Sequence, residues 1–282
     1  MKITELFERG EFVVSAEVGP PKGFHVEHLL EEAKTYLSDI TAVNVTDNQS
    51  SVMRLGSLAM CKALKDEGLT PIYQLTCRDR NRIALQSDLL SAAMFGIENL
   101  LLLTGDHTKL GDHPQAKPVF DLDSVSLIHA VTRLESGVDL GGNELVGEPP
   151  KFAKGAVVSP CSDSVDAQLA KMERKVRAGA DYFQTQAVFE PEKFIKFMEK
   201  AKEFGKPVQV GIIIPKSAGM AKFMNNNVAG IHVPDEMIEE LARDKERTKA
   251  GITGVEIAAR IIKECRPYCQ GVHIMALGWE SK

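Results

Sequence analysis

Hydrophobic and polar positions along the chain fall into two alternating periods. Short β-branched runs recur at 12–18, 42–46, 71–77, 99–104, 155–159, 182–187, 208–214 and 271–277. Between them lie stretches of helical length and amphipathic pattern, at 25–37, 52–66, 80–95, 124–134, 164–178, 191–204, a split segment over 218–243, and 248–265. Eight strands alternating with about eight helices predict a parallel sheet joined by crossover helices. The strands read as apolar on both faces, as expected when helices cover one side and a barrel interior the other. An open doubly wound sheet is the alternative, and it usually carries a glycine-rich phosphate turn after its first strand. Here that strand runs into Val18-Gly19-Pro20-Pro21. Two prolines do not suit a helix N-terminus cradling a pyrophosphate, and neither GxGxxG nor GxxxxGK(S/T) occurs elsewhere. The expected fold is therefore of the α/β class, a (β/α)8 TIM barrel forming one domain over 1–282. The longest irregular stretch, 136–154, reads as a surface loop before the fifth strand.

Composition narrows the function classes. With 282 residues, 44% hydrophobic and 26% charged, the chain can bury a large core. A net charge of −5 without any Lys/Arg block argues against nucleic-acid or anionic-membrane partners. No apolar run approaches the roughly 20 residues that span a bilayer, and the first dozen residues are charged throughout, with no apolar signal core. Five cysteines (Cys61, Cys77, Cys161, Cys265, Cys269) are too few and too scattered for a disulfide framework. A cytoplasmic location is the expectation.

In a barrel of this kind chemistry gathers at the C-terminal strand ends. These read Glu17, Thr46-Asp47-Asn48, Thr76-Cys77-Arg78-Asp79, Thr104-Gly105-Asp106-His107, Ser159-Pro160-Cys161, Gln186, Pro215-Lys216-Ser217 and Leu277. The ring is rich in carboxylate, hydroxyl and amide groups and holds no evident metal cluster. Glu17 stands inside the apolar run Ser15-Ala16-Glu17-Val18, where burial disfavours its charged form and suits a general acid near neutrality. An interior carboxylate paired with Lys or Arg would give the same pattern, and the residues alone leave both readings open. Asp106 follows a glycine that allows backbone to approach a ligand, although an Asx turn or helix cap has the same signature. His25 and His28 share a helical face and read as solvated. Cys265 and Cys269 read as helix-end cysteines packed on the barrel, because a metal would need two further ligands. His107 and His113 flank a glycine-containing loop and are weaker candidates for a phosphate or substrate contact.

Taken together, the strand ends resemble the methylenetetrahydrofolate reductase family of flavin-containing barrels, over nearly the whole chain and in order. The opening Ser15-Ala16-Glu17-Val18-Gly19-Pro20-Pro21 is similar to the family's first-strand motif, Val43-Asn44-Val45-Thr46 to its second and Leu75-Thr76-Cys77 to its third. Leu103-Thr104-Gly105-Asp106 resembles the family's Gly-Asp turn, and Arg174-Lys175-Val176 followed by Ala178-Gly179-Ala180-Asp181 its next helix end. Thr185-Gln186 with Phe189, and Gly211-Ile212 with Pro215, complete seven matches in register.

The resemblance implies reversible reduction of 5,10-methylenetetrahydrofolate to 5-methyltetrahydrofolate, a step of one-carbon metabolism that feeds methionine biosynthesis. It implies that Glu17 protonates the folate N10 and that Asp106 stabilises the resulting cation electrostatically. Gln186 and Leu277, with Glu17 and Asp106, would then contact substrate. Thr46, Gln74, Thr104, Gly105, Asp106, Ser159 and Lys175 would hold the flavin, with Lys175 facing its phosphate. FAD is the family expectation and FMN the alternative. Gln74, Thr104 and Ser159 depart from residues common at the flavin in this family. The segment Lys216-Ser217-Ala218-Gly219-Met220 and the ending Met275-Ala276-Leu277-Gly278-Trp279 depart where pyridine nucleotide binds. The electron donor is accordingly either NAD(P)H or a partner subunit, in a homo- or hetero-oligomer. Two competitors are a non-catalytic or partner-dependent folate-binding barrel subunit and a flavin-free lyase or aldolase, for which only Lys216 offers a Schiff-base amine.

Overall fold

All eight β-branched runs are strands in the structure, a computed structural model that describes residues 1–228 and 230–282. They are β1 (Val13–Val18), β2 (Ala42–Val45), β3 (Pro71–Thr76), β4 (Asn99–Leu103), β5 (Ala153–Val158), β6 (Tyr182–Ala187), β7 (Val208–Ile213) and β8 (Gly271–Met275). Neighbours in sequence are neighbours in space, every pairing is parallel, and β8 closes on β1. This is the expected (β/α)8 barrel.

The helices that cover it begin and end on local chemistry. Asn81 caps the helix Arg82–Met94 by accepting from the amides of Ile83 and Ala84, and Asp123 caps the helix Ser124–Glu135 through Ser126 N. The helix over Val165–Ala178 starts on Ser164 and stops at Gly179, whose φ of 114° is left-handed. The helix expected over 248–265 is broken. Gly251, at φ 84°, separates a short turn Lys245–Lys249 from the helix Ile252–Cys265. The fifth strand begins at Ala153, two residues before the predicted start, so the irregular stretch is shorter than expected.

Two features depart from the expectation. A helix over Ile3–Glu8 lies within the charged N-terminal stretch. Its Ile3 and Leu6 are buried, and Ile3 N donates to Asn99 Oδ1 at 2.8 Å, which fixes the helix across the N-terminal end of the barrel. Two apolar residues three apart are too short a signal for periodicity to find. Second, the strands are not apolar on their inner face. The floor is apolar, built from Ile3, Ala42, Ile72, Leu101, Ala153 and Tyr182. There the ring of Tyr182 takes the space that a Cβ on Gly155 would fill. Above the floor, Ser15, Asn44, Gln184, Gln209 and His273 are all buried and hydrogen-bonded to one another.

Candidate active site

The inward register of β1 places Ser15 in the barrel and Glu17 at its mouth. The Glu17 side chain is only 10% exposed, yet among the described residues no lysine or arginine pairs with it. Its polar neighbours are Gln49, whose Nε2 donates to Oε1 at 3.3 Å, and His273, whose Nε2 lies 3.7 Å from Oε2. The pairing with an interior lysine or arginine that a structural carboxylate would show is therefore not found among the described residues. A cavity of about 260 Å³ opens beside Glu17, lined among others by Gly19, Gln49, Arg54, Leu277 and Glu280. Leu277 thus lies beside Glu17, with a left-handed φ of 55°, and its carbonyl accepts from Lys216 Nζ. That ammonium also sits over the Trp279 ring at 5.2 Å.

Three loops on one side of the mouth are bound into a unit. The Arg78 side chain, 2% exposed, forms a fork on Asp79, with Nε and Nη2 donating at 2.9 and 2.7 Å. Its remaining donors reach the carbonyls of Asn48 and Asp106 at 3.3 and 3.4 Å. Asp47 is fully buried and accepts from Thr76 N, Thr76 Oγ1 and both terminal nitrogens of Arg80. Asp112 accepts from Lys22, His113 and Met53 N, which hold its carboxyl well below the usual carboxylate range. Gly111 packs so closely on Ser51 that a Cβ would stand 1.7 Å from the Ser51 carbonyl oxygen. Beside this contact the backbone is left-handed at Asn48, Ser50 and Ser51, three non-glycine residues flanking Gln49.

The residues expected to hold a flavin are spread around this mouth. Thr46 is buried, its hydroxyl has no partner among the described residues, and it points toward Gly19. Gly105 takes φ 92°, and a Cβ there would meet Thr76 at 3.0 Å and Arg78 at 3.2 Å. Asp106 is exposed at the turn, and the Thr104 hydroxyl accepts from Ser124 N, anchoring the helix Ser124–Glu135. Gln74 is buried, and Ser159 N donates to Gln168 Oε1 at 3.3 Å. Lys175 extends from its helix to the end of β5, donating to Val157 O at 2.6 Å. Burial, and then the charge of Lys171, lower its pKa to about 8. An orphaned buried hydroxyl, a left-handed glycine turn and a desolvated ammonium with one partner suit an anionic, hydrogen-bonding cofactor. Gln186 folds back so that its Oε1 accepts from Ala187 N at 3.1 Å, which leaves its amide NH2 to donate elsewhere.

The other candidates resolve differently. His25 and His28 are exposed beside Glu27 and Glu32. Cys265 and Cys269 are buried at the helix end. Burial pushes the Cys161 thiol up to about 11 and the Cys77 thiol up to about 12, so neither strand-end cysteine is a nucleophile near neutrality. His273, Gln49 and Gln209 were not found by sequence reasoning. A signal existed for the polar interior they join, since Ser15 and Glu17, Asn44 and Thr46, and Gln184 and Gln186 each repeat polar side chains at period two inside otherwise apolar strands.

A family model described as methylenetetrahydrofolate reductase matches residues 2–282. The 5,10-methylenetetrahydrofolate reductase of Salmonella typhimurium is 27% identical over 263 residues, covering 90% of this chain and 82% of that protein. The enzyme of the same name from Escherichia coli is 26% identical with the same coverage. Among solved structures, a Clostridium thermocellum protein described as binding two copies of 5-methyl-5,6,7,8-tetrahydrofolic acid superposes with a TM-score of 0.65. It is 14% identical, over 98% of this chain and 93% of that one, a likeness of fold.

Proposed function

The chain belongs to the methylenetetrahydrofolate reductase family and is an enzyme of that kind, and from that premise we propose that it is a single flavin-binding barrel which interconverts 5,10-methylenetetrahydrofolate and 5-methyltetrahydrofolate, with Glu17 as the acid. The observation that carries the assignment is Glu17 itself: a nearly buried carboxylate at the mouth, beside a cavity, with no lysine or arginine paired to it among the described residues.

Glu17 delivers its proton to the folate N10, which opens the five-membered ring and leaves a cationic 5-iminium carbon. Asp106, exposed on the Gly105 turn, supplies negative charge for that cation. Gln186 presents its free amide to the pterin and orients it. When bound, the flavin supplies the hydride. Thr46, Gln74, the Thr104–Asp106 turn and Ser159 would hold it at the mouth, and Lys175 would supply a point charge for its phosphate. FAD is the favoured form and FMN the alternative. Electrons arrive from NAD(P)H or from a partner subunit. The proposed setting is the cytoplasm; no helix among the described residues is long and apolar enough to cross a membrane.

The protein is expected to purify yellow or to become so on adding FAD or FMN. Glu17→Gln should keep the flavin and lose folate turnover by about 10²–10⁴-fold, the usual weight of a general acid. A correctly folded protein that neither carries nor takes up flavin overturns the assignment. So does a Glu17→Gln variant with unchanged turnover.

A further inference from the structure

Below Glu17 a chain of amides runs through the barrel interior, and its polarity can be followed from atoms whose roles are certain. Gln209 is fully buried and lies inside the barrel where Gly271 makes room for it; a Cβ on Gly271 would stand 2.9 Å from Gln209 Cγ. One end of its amide faces Val272 O at 3.3 Å and Val13 O at 3.5 Å. Carbonyl oxygens only accept, so that end is the NH2 group. The same nitrogen is 3.1 Å from Ser15 Oγ, which therefore accepts from it. The other end of Gln209 accepts from Gln184 Nε2 at 3.1 Å, and Gln184 is held in turn by a reciprocal pair with Asn44 at 2.7 and 3.2 Å.

Ser15 is completely buried, and its remaining neighbour is His273 Nδ1 at 3.1 Å. Its hydroxyl proton has that ring nitrogen as its acceptor; any other arrangement would strand a buried donor. Nδ1 is then the acceptor of the neutral ring, and Nε2, the atom facing Glu17 Oε2, carries the hydrogen.

We propose that Gln209 is a positioning residue for the reaction: through Ser15 it fixes His273 in the tautomer that points an N–H at Glu17. This rests on the assignment of Glu17 as the acid. The device favours the carboxylate that remains after the proton has gone to N10, and it holds that carboxylate in one orientation. The opposite tautomer would present a lone pair to the same oxygen.

The test uses the full-length protein with ¹⁵N-labelled histidine, His273 being assigned by its disappearance in His273→Gln. The expected spectrum shows Nε2 protonated and Nδ1 bare. Gln209→Met and Ser15→Ala should each give a mixture of tautomers and lower kcat about tenfold with KM for the folate unchanged, the weight of one lost hydrogen bond. Ser15→Thr, which keeps the hydroxyl, should restore both. A wild-type ring protonated on Nδ1 overturns the proposal, and that spectrum needs no variant to fold. Loss of kcat in Gln209→Met with the tautomer unchanged also overturns it. The tautomer is read without substrate, so a failure of the folate assignment, seen as normal turnover by Glu17→Gln, is a separate result.

Discussion

Among the described residues Lys175 has a single hydrogen-bond partner, a backbone carbonyl, and its burial has a measurable consequence. Its pKa is lowered from 10.5 to about 8. Between those values the unfolded chain binds a proton that the folded chain does not, so stability should rise with pH across that window. Urea midpoints of the flavin-free protein taken from pH 8 to pH 10.5 should climb, and Lys175→Met should remove the climb. The same variant should bind flavin about tenfold more weakly if the ammonium faces the phosphate, by titration of flavin fluorescence. At this scale the sequence was partly legible. Glu17 was visible because one carboxylate interrupts an apolar strand. His273 was not, because a lone histidine among apolar residues is uninformative until pairing puts Ser15 opposite it. Gln49 owes its place to left-handed backbone at Asn48, Ser50 and Ser51, which no propensity predicts.

Strands and helices were readable because short β-branched runs alternate with amphipathic stretches of helical length all the way around the barrel. Elements failed where the signal was short, as in Ile3–Glu8, or where a glycine broke a continuous pattern, as at Gly251. The polar interior was missed for a different reason. Its side chains belong to different strands, and only barrel closure brings them together. The turn after β4 makes the sharpest prediction at this scale. Gly105→Ala would force a side chain into left-handed backbone, at about 1–2 kcal/mol, and press it against Thr76 and Arg78. A lower denaturation midpoint together with weaker flavin binding is the expected outcome; an unchanged midpoint would show that the turn relaxes freely.

Across the whole molecule the two ends of the barrel are held in opposite ways. One is closed by an apolar floor under the helix Ile3–Glu8, the other by charged contacts among loops. Deleting residues 1–10 exposes Ile72, Leu101 and Tyr182 and removes the burial of Ile3 and Leu6. The midpoint of thermal unfolding should fall by on the order of 10 °C, while flavin binding to the protein that remains folded should persist, as calorimetry and absorbance can show. At the other end, the Arg78 fork links the turns after β2, β3 and β4 through one buried guanidinium. That linkage constrains how such an enzyme can be diversified. A change at Asn48, Asp79 or Asp106 disturbs all three turns at once, so libraries aimed there will be dominated by inactive members. The segments 159–164 and 216–220 lie outside the Arg78 linkage, and altered substrate or donor preference is more readily selected from them.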